Sequence, residues 1–228
     1  MIDTLNTLDT NFFLFLNGIN SAFFDQFMYI FTGKWIWIPF YAAIIYVFIR
    51  NWKIESIWII LAVALCITIA DQLAANVIRN LIERPRPSHE AELEGLVHIV
   101  NNLRGGRLGF VSAHAANSVG LALFCSLLFR YKLYAWILFA WAFVNAYSRI
   151  YLGLHYPGDL IGGAIVGAFA ALFCIFLLKK IRPKILLIKP QTNFPQETPF
   201  CQKQENFLPI WVVAFTVLGI VVYSLFVM

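Results

Sequence analysis

Charge is what this sequence has least of. Lys, Arg, Asp and Glu supply 13% of its 228 residues, about half the roughly 25% typical of a soluble domain. Hydrophobic residues supply 61%, and the mean hydropathy is +0.74. A soluble globular fold is thereby excluded, and the chain reads as one integral membrane domain spanning 1–228. Cysteine is scarce too. Cys66, Cys125 and Cys174 sit in apolar runs and Cys201 in a polar connector. With no close pair such as CxxC among them, neither a zinc site nor a disulfide framework is indicated. The opening "MIDTLNTLDTN" lacks the basic start and apolar core of a cleavable leader, so the first membrane helix is expected to serve as its own insertion signal. Internal repeats and low-complexity tracts are missing as well. The net charge of +5 is, in such a chain, topogenic rather than a sign of nucleic-acid binding.

What is present is a series of apolar runs. A helix needs about 20 apolar residues to cross the hydrocarbon of a bilayer, and the pattern predicts spans near 35–50, 56–80, 111–130, 134–151, 157–178 and 207–228. The fold class expected is all-α: a polytopic bundle of six transmembrane helices. The stretch 11–31 is rich in Phe but broken by Asn-Gly and Asn-Ser, which suits an amphipathic or re-entrant segment at the membrane surface. Polar connectors occupy 82–110 and 179–206. Six spans place ten Lys and Arg residues on one side and seven on the other, so the positive-inside rule makes the first side cytoplasmic. Six of the seven outer cations, Arg79, Arg84, Arg86, Arg104, Arg107 and Arg149, are arginine. Topogenic charge has no reason to prefer Arg, whereas phosphate and carboxylate do.

In this topology the end of the second span, the start of the third, the end of the fourth and the start of the fifth all reach that outer surface. Arg79, Arg86, Ser112, His114, Arg149, His155 and Asp159 can therefore converge. Ionisable groups at membrane depth are costly and imply function. Three guanidiniums suit a phosphate through charge-assisted forks, and two helix N-termini aimed at the same place add free N–H groups. One histidine can then attack phosphorus while the other protonates the leaving oxygen. Asp159, four residues after His155, is placed to hold its tautomer.

The three segments that carry these residues are "RNLIERPRP", "VSAH" and "SRIYLGLHYPGD". Together they resemble the type 2 phosphatidic acid phosphatase superfamily, whose motifs read KxxxxxxRP, PSGH and SRxxxxxHxxxD. The resemblance extends over nearly the whole chain and is most specific in the third motif. It implies a membrane lipid phosphatase in which His155 forms a phosphohistidine, Asp159 orients it, and His114 acts as general acid and then base. Arg79, Arg86, Ser112 and Arg149 would bind the phosphate oxygens, with the backbone N–H of Ala113. The family implies no metal and no other cofactor. Three positions depart from its pattern: Arg79 stands where it has Lys, Val111 where it has Pro, which changes only how the turn is stiffened, and Ala113 where it has Gly, adding a methyl at the approach to phosphate.

The resemblance also implies a lipid phosphate substrate entering laterally from the membrane: undecaprenyl pyrophosphate, phosphatidylglycerol phosphate, phosphatidic acid or a lipid A phosphate. A bacterial inner membrane with the site facing the periplasm or cell exterior is the location expected. The alternative is a lipid-phosphate transporter or scaffold without turnover. It would need the arginines but not two histidines with Asp159 behind one. Polar groups in the 88–109 connector suit either sugar recognition or an ordinary solvated loop. Pro157 and Asp159 taken alone suit a plain helix start, and Tyr147, Tyr151 and Tyr156 an interfacial belt. Thr68, Asp71, Gln72, Asn76 and Arg79 recur at helical spacing, predicting one polar face turned into the bundle. Gly158 with Gly162, Gly163 with Gly167, and Ser112, Ala116 and Gly120 form small-residue stripes through which the third and fifth spans are expected to pack.

Overall fold

Each of the six apolar runs is mostly helical among its described residues, the third beginning at Ala113 rather than Val111. The computed structural model describes residues 2–186 and 204–227, and among these every extended element is a helix. Cys201, Lys189 and Lys203, counted above, lie outside the described residues. The surface segment resolves into two helices, α1 (Ile2–Asn17) and α2 (Ala22–Phe31), the latter capped by the Ser21 hydroxyl accepting the Phe24 N–H. Helix α3 (Ile38–Trp52) starts with Pro in its first turn, and Lys53 at φ 49 begins the reversal into α4 (Ser56–Gln72). From Gln72 the helix runs on through a π-helical segment, Leu73–Ile78, and a final turn, Arg79–Ile82, that stops at a left-handed Glu83; both continuations are counted with α4. After the long connector come α5 (Ala113–Phe129), α6 (Lys132–Tyr151), α7 (Pro157–Ile181) and α8 (Leu208–Val227).

Among the described residues three helical stretches are long and apolar enough to cross a membrane: Trp35–Ile82, which holds both α3 and α4, Pro157–Ile181 and Glu205–Val227. The distribution of side chains on α7 shows what surrounds it. Ile161, Ile165, Phe169 and Phe176 stand exposed on one face, while Gly163, Gly167, Ala170 and Cys174 are buried on the other. A water-facing helix would carry polar residues where these Ile and Phe side chains lie; a face of this kind calls for hydrocarbon. The fold is that of an all-helical membrane protein.

The buried face of α7 packs on α5 through its small residues. A Cβ at Gly163 would come 3.0 Å from Ala115 Cβ, and one at Gly167 2.9 Å from the Gly120 nitrogen. The other pair does different work. A Cβ at Gly158 would meet Asp9 of α1 at 2.8 Å, and one at Gly162 would meet the Val111 side chain at 2.5 Å, ahead of α5. At one end of the bundle Arg50 pairs with Glu205 at 2.8 Å and the Trp52 indole N–H donates to the Ile185 carbonyl at 3.3 Å. The last turn of α4, the starts of α5 and α7 and the end of α6 meet at the other.

Candidate active site

The loop between α6 and α7 is folded back on itself. Gly153 takes φ +72, and a Cβ there would come 2.7 Å from Val97 and 3.1 Å from the His98 carbonyl; only glycine suits both constraints. The Leu154 and His155 N–H groups donate to the Arg149 carbonyl at 2.9 and 3.2 Å, which carries His155 to the α7 start. Asp159 Oδ2 accepts the Tyr156 N–H at 3.0 Å and lies 3.2 Å from His155 Nδ1. His155 and Asp159 are 1% and 0% exposed, and the carboxylate is placed to accept a proton on Nδ1, the tautomer that would turn the Nε2 lone pair to the other side of the ring. Burial, then the guanidiniums of Arg86, Arg149 and Arg79, hold the ring's pKa well below its usual 6.5. The ring is thereby kept uncharged at neutral pH.

Three arginines surround it. Arg79 Nη2 donates to the Val111 carbonyl at 3.3 Å, Arg86 Nε to the Leu108 carbonyl at 3.0 Å, and Arg149 Nη1 to the Thr32 hydroxyl at 2.9 Å. Each keeps a buried nitrogen with no protein acceptor: Arg79 Nε, Arg86 Nη1 and Arg149 Nε. Burial pushes Arg86 down to about 10, with Arg79 adding to the effect, so it remains cationic at neutral pH. Buried donors are nearly always satisfied, and three unsatisfied guanidiniums around one point ask for an anion.

That point is one end of a cavity of about 720 Å³, lined there by Arg79, Arg86, Ala113, His114, Arg149 and His155. Asp159 stands behind His155 rather than in the wall. Ser112 is fully buried; its hydroxyl caps α5 by accepting the Ala115 N–H at 3.4 Å, and its own N–H donates to the Asp159 carbonyl at 3.0 Å. That bond ties the start of α5, and so His114, to the first turn of α7. Away from the arginines the cavity wall turns apolar, with Ile44, Phe48, Ile60, Val63, Ile67 and Leu121. Tyr41 and Ile45 of α3 both line it and are exposed on the bundle surface.

The polar face predicted on α4 is two faces. Asp71, Ala75 and Arg79 line the cavity, and Asp71 accepts from Asn117 at 3.1 Å. Thr68, Gln72 and Asn76 lie exposed on an adjacent line, where Asn76 donates to Gln72 at 2.6 Å. Residues spaced by four share a line on a helix, and positions 68 and 71 start different lines.

Two site neighbours lie at no fixed position of the three motifs. Arg84 Nη1 lies 2.7 Å from Asp9 Oδ2 and 3.2 Å from Asp159 Oδ1, with its guanidinium 3.9 Å over the Tyr156 ring. Asp9 Oδ1 accepts the Gly158 N–H at 2.8 Å. Arg84 fits no motif position. Asp9 carried a weak signal, since Asp9, Phe13 and Asn17 fall on one line of α1, and all three face the protein: Phe13 packs on Tyr156 and Asn17 donates to the Ile150 and Tyr151 carbonyls.

Apolar helices around a carboxylate-backed histidine and three arginines, each with one unpartnered nitrogen, make the arrangement that a membrane-embedded site for phosphate chemistry would need. Residues 56–183 match the family model described as the PAP2 superfamily, and the chain belongs to that superfamily. It is 43% identical over 228 residues, 99% of each chain, to a lipid A 4'-phosphatase of Bacteroides thetaiotaomicron. It is 36% identical over 167 residues, 73% of this chain and 71% of the relative, to a lipid A 4'-phosphatase of Porphyromonas gingivalis. Among solved structures, the crystal structure of Aquifex aeolicus LpxE matches with a TM-score of 0.59 and 25% identity over 74% of this chain and 95% of the other. Family and relatives together support a membrane lipid phosphatase.

Proposed function

We propose that this protein is a lipid A 4'-phosphatase working through a phosphohistidine on His155. The observation that carries the reaction is the neutral His155 backed by Asp159, with unsatisfied nitrogens of Arg79, Arg86 and Arg149 around the same cavity end. Near-full-length identity to a lipid A 4'-phosphatase supports the substrate. The arginines take the nonbridging oxygens, with the Ala113 N–H at the α5 start. Nε2 of His155 attacks phosphorus as the bond to the sugar oxygen breaks, and His114 gives that oxygen its proton. Water then attacks the phosphohistidine, His114 takes the water's proton, and inorganic phosphate leaves with His155 restored. The arginines carry the charge of the transition state, so the reaction needs no metal. Ser112 serves through the α5 cap and its bond to Asp159; a turn of its hydroxyl would add a phosphate donor.

The apolar cavity wall offers space to acyl chains, and exposed Tyr41 and Ile45 mark the side from which a lipid would enter between α3 and α4. Counted as spans, α3 to α8 give six, and the lysines and arginines gathered opposite the site make that opposite end cytoplasmic. The site then faces the periplasm of a bacterial inner membrane. The test is phosphate release by the purified protein from lipid A, undecaprenyl pyrophosphate, phosphatidylglycerol phosphate and phosphatidic acid. Mass spectrometry locates the phosphate lost. Lipid A is expected to lose its 4'-phosphate fastest, and His155→Ala to release none. A faster rate on another lipid changes the substrate; binding without release makes the protein a carrier.

A further inference from the structure

An aspartate orients a histidine only if its own carboxylate is held. Asp159 Oδ2 is taken by the Tyr156 N–H at 3.0 Å and His155 Nδ1 at 3.2 Å. Its other oxygen, Oδ1, meets Arg84 Nη1 at 3.2 Å. The same nitrogen is 2.7 Å from Asp9 Oδ2, and Asp9 Oδ1 accepts the Gly158 N–H at 2.8 Å. Asp9 thus grips both the guanidinium that fixes Asp159 and the turn of α7 that carries it. Gly158 makes the grip possible, because a Cβ there would stand 2.8 Å from Asp9 Oδ2. The parts are enclosed: side chains of Arg84 and Asp9 are 19% and 17% exposed, and that of Asp159 is 0%.

We propose that Arg84 and Asp9 are positioning residues for phosphoryl transfer, acting through Asp159. Helix α1, which lies outside the family-matched stretch 56–183, is then a working part of the site. This rests on the phosphatase reading. One guanidinium between two carboxylates leaves a net negative charge beside His155, which supports the positive charge that develops on the ring as it bonds to phosphorus. Without Arg84, two carboxylates face each other with no cation between them. Asp159 Oδ1 then has no side-chain donor, and repulsion from Asp9 turns the carboxylate away from the angle at which Oδ2 meets His155 Nδ1.

The test is steady-state kinetics of the full-length protein in detergent, on lipid A and on the soluble ester p-nitrophenyl phosphate, with thermal unfolding of each variant. Arg84→Gln is expected to lower kcat about 10- to 100-fold on both substrates with KM within about 3-fold, the pattern of a lost transition-state interaction. Arg84→Lys, which keeps the charge, recovers most of the rate. Asp9→Asn, close to isosteric, lowers kcat about 3- to 10-fold, and the double variant is no worse than Arg84→Gln because both act through one contact. Unchanged kcat in Arg84→Gln overturns the proposal. So does a raised KM at full kcat, which would make Arg84 a substrate contact. A kcat loss that tracks a fall in Tm, without rescue by Arg84→Lys, overturns it too, as mere scaffolding. If Arg84→Gln does not fold, Asp9→Asn decides by the same criteria. A wild type that releases no phosphate, or His155→Ala at full turnover, removes the phosphatase reading and the proposal with it; a fast wild type with indifferent Arg84 variants removes the proposal alone.

Discussion

His155 sits where neutrality has a measurable cost. Burial and three guanidiniums keep its pKa well below 6.5, whereas in the unfolded chain it titrates near 6.5. Above that value both states hold the ring neutral and its contribution to stability is constant. As pH falls through it, the unfolded state binds a proton that the folded state refuses, and stability drops by up to about 1.4 kcal/mol per pH unit. Thermal unfolding in detergent from pH 8 to 5 is expected to show this loss, and His155→Asn to make it shallower; an unchanged slope would mean the ring is protonated in the fold. Arg149 makes a second case. Its Nη1 is committed to Thr32 at 2.9 Å and its Nε is unpartnered, a split that lysine cannot reproduce. Arg149→Lys should lower kcat/KM about 100-fold, read as phosphate release at fixed lipid; wild-type activity would exclude Arg149 from phosphate binding. These residues were legible because motif spacing is local. The Asp9–Arg84 and Asp9–Gly158 contacts span 75 and 149 positions, and no local pattern announces them.

At the scale of elements, the distance between the two histidines is set by how α5 meets α7. Ser112 N–H to Asp159 carbonyl at 3.0 Å joins the two starts, and Gly163 and Gly167 let the helices close below it. A valine at 167 would meet the Ala116 carbonyl and the Gly120 nitrogen, both backbone and unable to yield. Gly167→Val is therefore expected to cost about 1–3 kcal/mol of stability and to lower kcat beyond what the unfolded fraction explains, because the helices part. Thermal unfolding beside kcat at low temperature checks it; full activity with full stability would refute the close packing. Small-residue stripes are readable in sequence, since periodicity marks a face. Which neighbour each face meets is not: Gly158 meets α1 and Gly162 the residue before Ser112. The polar residues of α4 read as one face in the sequence for the same reason. A count by helical period groups nearby lines, and only packing separates Asp71 and Arg79 from Gln72 and Asn76.

For the molecule as a whole, the cavity joins two chemistries that the sequence places far apart. Its arginine end lies at the last turn of α4 and its apolar end reaches Ile60 and Phe48. Arg79 and Ile60 are separated by roughly 28 Å of helix at 1.5 Å per residue, close to the thickness of a bilayer's hydrocarbon. A site needing only phosphate would have no use for such depth, whereas a lipid with long acyl chains would fill it. Val63 of α4 and Leu121 of α5 line this part of the cavity, well away from the histidines. Val63→Phe is expected to lower kcat/KM on long-chain lipid A about 10-fold, by blocking chain burial that contributes about 0.8 kcal/mol per methylene. Turnover of a soluble phosphate monoester should stay within about 2-fold of wild type, because the reacting groups are untouched. Leu121→Phe, approaching from the other wall, should repeat the pattern. An equal fall on both substrates would mean the substitution reached the histidines through the packing. No fall on either would mean that the chains lie outside the bundle and that the cavity serves the headgroup alone.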